Sequence, residues 1–135
     1  EKVRELYNGL YHNLEFIVGY QAANEYFEKG IVETVVLSNM RGSSFSSSFL
    51  VLDEASLLHV EGNIMKLFLT RIGKNSKVVI LGDRRQSTLD PNDMDMLDAM
   101  NRLHDIDEIA CVEMDDFVDV QRSEIVRKIL QKYEG

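Results

Sequence analysis

One cysteine, one proline and no tryptophan occur in 135 residues, and each scarcity excludes something. A lone Cys111 forms no internal disulfide and, without thiolate companions, no cysteine-based metal cluster, which suits a reducing compartment. A single proline and eight glycines leave out collagenous and low-complexity chains. The longest apolar runs, such as residues 78–81, fall far short of the roughly 18 to 20 residues of a membrane span. No basic, apolar, cleavable leader is visible either, so the expectation is a soluble cytoplasmic chain with no membrane partner. What is present, 44% hydrophobic and 28% charged residues in 15.5 kDa, is enough for one folded domain over residues 1–135. The chain starts at Glu1 rather than at methionine, as expected of a processed, truncated or incomplete polypeptide.

Basic charge is also in short supply: 15 Lys and Arg stand against 23 Asp and Glu, a net charge of −8. That balance argues against a protein that coats nucleic acid by bulk electrostatics. The charge is nevertheless segregated. Residues 41–87 carry a surplus of +3 from Arg41, Lys66, Arg71, Lys74, Lys77, Arg84 and Arg85, whereas residues 88–120 carry −10. A basic middle of this kind meets a polyanion while the acidic flank faces away, or it is simply a solvated surface.

Helix and strand signals alternate along the chain. Val3, Leu6, Tyr7, Leu10, Tyr11 and Leu14 recur at helical spacing, as do Ala22, Ala23, Tyr26 and Phe27 before Gly30, where a left-handed cap is predicted. Residues 31–37 are rich in β-branched side chains; 49–52 and 78–81 are short continuous apolar runs, and 109–114 reads as a fourth strand. Val60, Ile64, Leu67, Phe68 and Ile72 mark one helical face closed by Gly73, and Asp90-Pro91 caps a helix bearing Met96, Leu97, Met100 and Leu103. A last helix follows Ser123 with a core stripe of Ile125, Val126, Ile129, Leu130 and Tyr133. Strands separated by helices imply βαβ crossovers and an open α/β sheet of about four parallel strands flanked by helices.

Two motifs carry chemistry. Phe49-Leu50-Val51-Leu52 runs into Asp53-Glu54, and ligands of α/β sheets gather at the carboxyl ends of strands. In nucleoside triphosphatases the first acid of such a pair holds a magnesium ion through water and the second orients or deprotonates the attacking water. Two surface acids at a strand end are the plain alternative. One βαβ step later, Lys77 to Leu81 runs into Gly82-Asp83-Arg84-Arg85-Gln86. Gly82 permits a tight exit, Asp83 anchors the loop or touches the metal water, and Gln86 offers an amide to a terminal phosphate and the water beside it. Residues 53 and 82 are separated by about one strand-helix-strand unit, so both motifs are predicted to face one cleft.

At these residues the chain resembles the PhoH-like ATPases, whose RecA-like core is related to superfamily-one helicases. The resemblance also runs through Leu6 to Tyr11, Glu28 to Glu33, Met40-Arg41-Gly42, Met65 to Gly73, Ser76-Lys77 and Asp119-Val120-Gln121-Arg122 to Glu134. It implies a partial RecA-like sheet, ATP and Mg2+ as cofactors, Asp53 as magnesium ligand, Glu54 as catalytic base and Gln86 as phosphate sensor. It further implies that Arg122 reaches phosphate within the subunit or across an oligomer interface, where an arginine stabilises charge on the transferring phosphoryl group. RNA or another single-stranded nucleic acid is the implied object of ATP turnover, and a homo-oligomeric ring the implied assembly.

The phosphate-binding loop is missing. No Gly-x-x-x-x-Gly-Lys-Ser/Thr occurs; the single Gly73-Lys74 pair is followed by Asn75, and Phe68 stands where the upstream glycine belongs. The chain therefore resembles the carboxyl-terminal part of such an ATPase, expected to be inert alone. A neighbour strand would be missing beside residues 49–52, leaving an edge for another chain to pair with. The competing expectation is a shortened, ATPase-inactive binding protein that docks on a partner through that edge. Ser56 replaces the glutamine that the family tends to place after the acid pair and alanine, and Arg84 and Arg85 make the second loop unusually basic. These two arginines take over part of the phosphate binding, face RNA, or are solvated. His12, His59 and His104 lie in no metal-ligand spacing, and Cys111 has no basic neighbour to activate it.

Overall fold

The computed structural model describes residues 8–40, 42, 44–114 and 123–134. Arg41, Arg122 and the start of the first predicted helix lie outside them. The chain divides into two compact units: Glu1–Leu52 with Ile64–Ile80, and Asp53–Asn63 with Leu81–Gly135.

The first unit opens with two helices, α1 (Asn8–Val18) and α2 (Tyr20–Glu28), hinged at Gly19, whose φ of 85° is open to glycine at little cost. They pack through the fully buried Ala23, a Tyr11 hydroxyl donating to Asn24 Oδ1 at 2.7 Å, and the Tyr11 and Phe27 rings 5.6 Å apart. α2 stops as predicted: Gly30 takes φ 64°, and the N–H groups of Gly30 and Ile31 return to the carbonyls of Phe27 and Tyr26. Strands β1 (Phe49–Leu52) and β2 (Lys77–Ile80) pair in parallel, Phe49 opposite Lys77 and Leu52 opposite Ile80, with helix α3 (Ile64–Leu69) between them in sequence. Met40, Leu52, Met65 and Phe68 form this unit's buried apolar positions with Ala23.

In the second unit, 3-10 turns at Ala55–Leu57 and Val60–Gly62 lead away from the acid pair, and Asp90-Pro91 caps a 3-10 turn at Pro91–Asp93 rather than helix α4 (Asp95–Leu103), which starts after Met94 without a side-chain cap bond. Ala55, Met94 and Met96 are its buried apolar residues. Leu58 accepts from the Asp95 N–H at 2.9 Å, and His59 bridges antiparallel to Met94. Helix α5 (Glu124–Glu134) begins directly after Ser123, whose carbonyl accepts from the Arg127 N–H.

The architecture is α/β, with two parallel strands and five helices among the described residues. Residues 31–36 run without a ladder into a 3-10 turn at Leu37–Met40, and 109–114 are irregular and exposed. β-branched composition favours a strand only where a neighbour offers a pleated surface to pack on, and neither segment has one among the described residues. The single helix read over residues 60–72 is interrupted at Asn63, whose φ of 49° is incompatible with helix continuation. The α5 stripe is corrected as well: Ile125, Val126, Ile129 and Tyr133 are exposed, not core, and the Leu130 side chain lies outside the described ones. No helix among the described residues is long and apolar enough to cross a membrane.

Candidate functional site

Asp53 is the residue after β1 and Leu81 the residue after β2, so the two predicted motifs leave paired strands at matching levels. All of Asp53, Glu54, Asp83, Arg84, Arg85 and Gln86 belong to the second unit, and all are exposed. The loops that carry them are docked on one another. Ala55 N–H donates to Leu81 O at 2.8 Å, Asp83 N–H to Ser56 Oγ at 3.2 Å, and Ser87 Oγ to Ser56 O at 2.7 Å.

The first loop turns sharply. Asp53 Oδ1 accepts from the Glu54 N–H at 2.9 Å, and Glu54 sits in the left-handed region at φ 55°, ψ 34°. A residue with a Cβ pays roughly 1–2 kcal/mol for that conformation, and such strain is concentrated at functional sites. The turn then feeds a 3-10 segment in which Leu57 N–H returns to Glu54 O at 3.0 Å.

The second loop is organised by Asp83. Its Oδ1 accepts from the Arg85 N–H and its Oδ2 from Gln86 Nε2, both at 2.9 Å, while its carbonyl accepts from the Gln86 N–H at 3.3 Å. Gly82 provides the tight exit that the sequence suggested. A Cβ there would stand 2.9 Å from Ser56 N and 2.6 Å from Met96 Sδ. Arg84 Nη2 lies 3.9 Å from Glu113 Oε1, an exposed pair that contributes little to stability.

Ser56, Ser87 and Met96 are the residues that sequence reasoning missed. Ser56 is fully buried and holds both loops. Its place after Asp53-Glu54-Ala55, where the resemblance leads one to expect glutamine, was the one available signal, and it left open whether that amide's contact is lost or replaced. Arg122, expected at the site, lies outside the described residues.

Chemically, the paired loops present two adjacent carboxylates, two guanidinium groups and one amide to solvent. Among the described residues no group of three or more His, Cys, Asp or Glu side chains is placed to hold a metal ion. A divalent cation would have to be of the kind that keeps most of its water and binds between one carboxylate and a phosphate, which describes magnesium. Asp53 fits that demand, since its exposed carboxylate uses only Oδ1 within the loop.

Comparison with known proteins matches this pattern over almost the entire chain. A sequence model of the family described as "PhoH-like protein" covers residues 1–134. A PhoH-like protein of Bacillus subtilis is 36% identical over 135 residues, 99% of this chain and 41% of the relative. One from Mycobacterium tuberculosis is 36% identical over 132 residues, 97% of this chain and 36% of the relative. Protein PhoH of Escherichia coli K12 is 35% identical over 107 residues, 78% of this chain and 29% of that protein. The chain thus spans about two fifths or less of the length of these relatives. Agreement of this extent, running through both strand-exit loops, means that the chain belongs to the PhoH-like protein family.

Proposed function

We propose that this chain contributes the hydrolytic half of an ATP site, with Asp53 holding a hydrated Mg2+, Glu54 acting as the base toward water, and Gln86 reading the terminal phosphate and its attacking water. The observation that carries the reading is the docking of the two strand-exit loops through Ala55–Leu81, Ser56–Asp83 and Ser56–Ser87. It keeps the acid pair and the amide on neighbouring loops of one unit. Mg2+ supplies charge neutralisation of the phosphates when bound. The residues of this chain do the rest: Glu54 accepts a proton at its carboxylate, and Arg84 and Arg85 bring positive charge to the loop beside it.

The Gly-rich loop and lysine that cradle the β and γ phosphates have no counterpart in these 135 residues. We assign them to the part of the relatives' length that this chain does not span. In the same reading the two-stranded sheet is a portion of a RecA-like sheet of about four strands, Arg122 reaches phosphate from its own or a neighbouring subunit of a ring, and the cytoplasmic substrate of turnover is RNA or single-stranded nucleic acid.

A second reading has its own support. Phe49 and Val51 on β1 are 65% and 53% exposed, an apolar strand face suited to docking on a partner without hydrolysis. ATP turnover by the intact protein, measured beside Glu54→Gln, decides between them. Turnover lost in the variant with nucleotide binding kept supports the ATPase; a wild type that binds no nucleotide supports the docking protein.

A further inference from the structure

Gln86 is bracketed by two residues that are both tied to the buried Ser56. Asp83 donates its N–H to Ser56 Oγ at 3.2 Å, and Ser87 donates its hydroxyl to Ser56 O at 2.7 Å. The Ser87 hydroxyl in turn accepts from the Leu89 N–H at 3.2 Å, which commits its proton to Ser56. The backbone of Asp83 is therefore held, and its two carboxylate oxygens face two different donors. Oδ1 takes the Arg85 N–H and Oδ2 the side-chain amide of Gln86, each at 2.9 Å.

The chemistry of that last contact determines which end of the amide is used. A carboxylate only accepts hydrogen bonds, so the NH2 end of Gln86 must face Asp83, and the carbonyl Oε1 is the end left for another partner. An oxygen is a poor partner for the oxygens of a terminal phosphate. It is a good acceptor for the O–H of water.

We propose that Asp83 is a positioning residue that locks the Gln86 amide with its carbonyl outward, so that Gln86 orients the attacking water instead of donating to phosphate. The inference rests on the ATPase reading of the site and narrows the role given there to Gln86 from phosphate and water to the water alone. Asp83 acts through Gln86 and need not touch nucleotide or metal. Losing the lock lets the amide rotate, so that it presents NH2 as often as C=O.

The test is a double-mutant cycle on ATP hydrolysis by the intact protein. Asp83→Asn keeps the shape but can donate as well as accept, and Gln86→Leu removes the amide. Each is expected to lower kcat about tenfold, the scale of a misoriented reactant, with KM for ATP unchanged within about twofold. The double variant is expected to fall no further than the single ones, because both changes remove one function. Multiplying losses, or Asp83→Asn with full kcat, would overturn the proposal. In the 1H–15N spectrum, the Gln86 side-chain amide, assigned by its disappearance in Gln86→Leu, is expected to shift in Asp83→Asn, and an unmoved resonance also overturns it. Hydrolysis indifferent to Glu54→Gln instead overturns the underlying site reading and takes this inference with it; the resonance shift does not depend on that outcome, so the two failures are separable.

Discussion

Ala55 donates its backbone N–H to the carbonyl of Leu81 at 2.8 Å, joining the third residue beyond β1 to the first residue beyond β2. A main-chain bond at this point gives the two chemical loops one link that no side-chain substitution removes, beside the links made through Ser56. The room beneath it is limited. Gly82, next in the chain, passes so close to Ser56 N and Met96 Sδ that no Cβ fits between them.

Gly82→Ala is therefore expected to destabilise the protein by about 1–3 kcal/mol, the range for forcing an extra methyl into a packed site. Gly82 does not occupy the left-handed region, so the cost is steric rather than dihedral. The thioether of Met96 can swing aside, but the backbone nitrogen of Ser56 cannot. Urea unfolding of Gly82→Ala and of Gly82→Ala/Met96→Ala checks this: the second change should recover none of the loss, since it opens a cavity at a buried position while leaving the backbone conflict in place.

Glu54 sets stability against chemistry. Its φ of 55° is one that glycine adopts freely, so Glu54→Gly is expected to raise unfolding stability by about 1 kcal/mol while removing the proposed base. Glu54→Gln keeps the backbone preference and the side-chain length. It should leave the unfolding midpoint unchanged and lower ATP turnover about 100-fold or more, the scale of a lost general base. A thermal melt beside a turnover assay separates the two effects, and a Glu54→Gly variant less stable than wild type would contradict the strain assigned to this turn.

The parts of this arrangement that the sequence made legible are those governed by short-range rules. The apolar runs at 49–52 and 78–81 mark the paired strands, the second shifted by one residue to Lys77–Ile80; Gly30 ended α2, and Gly82 made the tight exit. Residues 31–37 and 109–114 have the same β-rich composition as the true strands but no ladder among the described residues, and composition carries no information about whether a neighbour is present. Asn63 could have been read more closely, because Gly62-Asn63 is a breaker pair lying inside an otherwise helical spacing. The clasp at Ser56 was legible only as an odd residue after the acid pair, not as a contact. Whether a serine is buried depends on which loop arrives to satisfy its hydroxyl and carbonyl, and that loop lies some thirty residues further along the chain.

The 3-10 turn that leads into α4 rests on Asp90, whose Oδ1 accepts from both the N–H and the side-chain amide of Asn92 at 2.9 Å. Pro91 presets the first-turn φ, so the cap and the proline act together. Asp90→Ala is expected to cost about 1 kcal/mol, the usual loss for an N-cap carboxylate. Asn92→Ala keeps the backbone donor and should cost less. Chemical denaturation of the two single variants tests the order, and equal losses would place the stabilisation in the Asn92 side chain rather than in the cap.

Ser56 is fully buried between the two loops, and its burial gives a graded expectation. Ser56→Ala removes the acceptor for the Asp83 N–H but leaves the Ser56 carbonyl bound to Ser87, and exposed Asp83 lets water reach the freed donor. The cost should be about 0.5–1.5 kcal/mol, the net worth of one hydrogen bond. Ser56→Gln puts a longer amide in a position with no exposed surface, hard against Gly82. The longer amide must displace the second loop or stay buried without partners, so a loss larger than that of Ser56→Ala is expected, at about 2 kcal/mol or more. Urea midpoints of the two variants decide the matter. A glutamine tolerated as well as alanine would mean that the loops keep their spacing by the Ala55–Leu81 bond alone, with Ser56 merely filling the space beneath it.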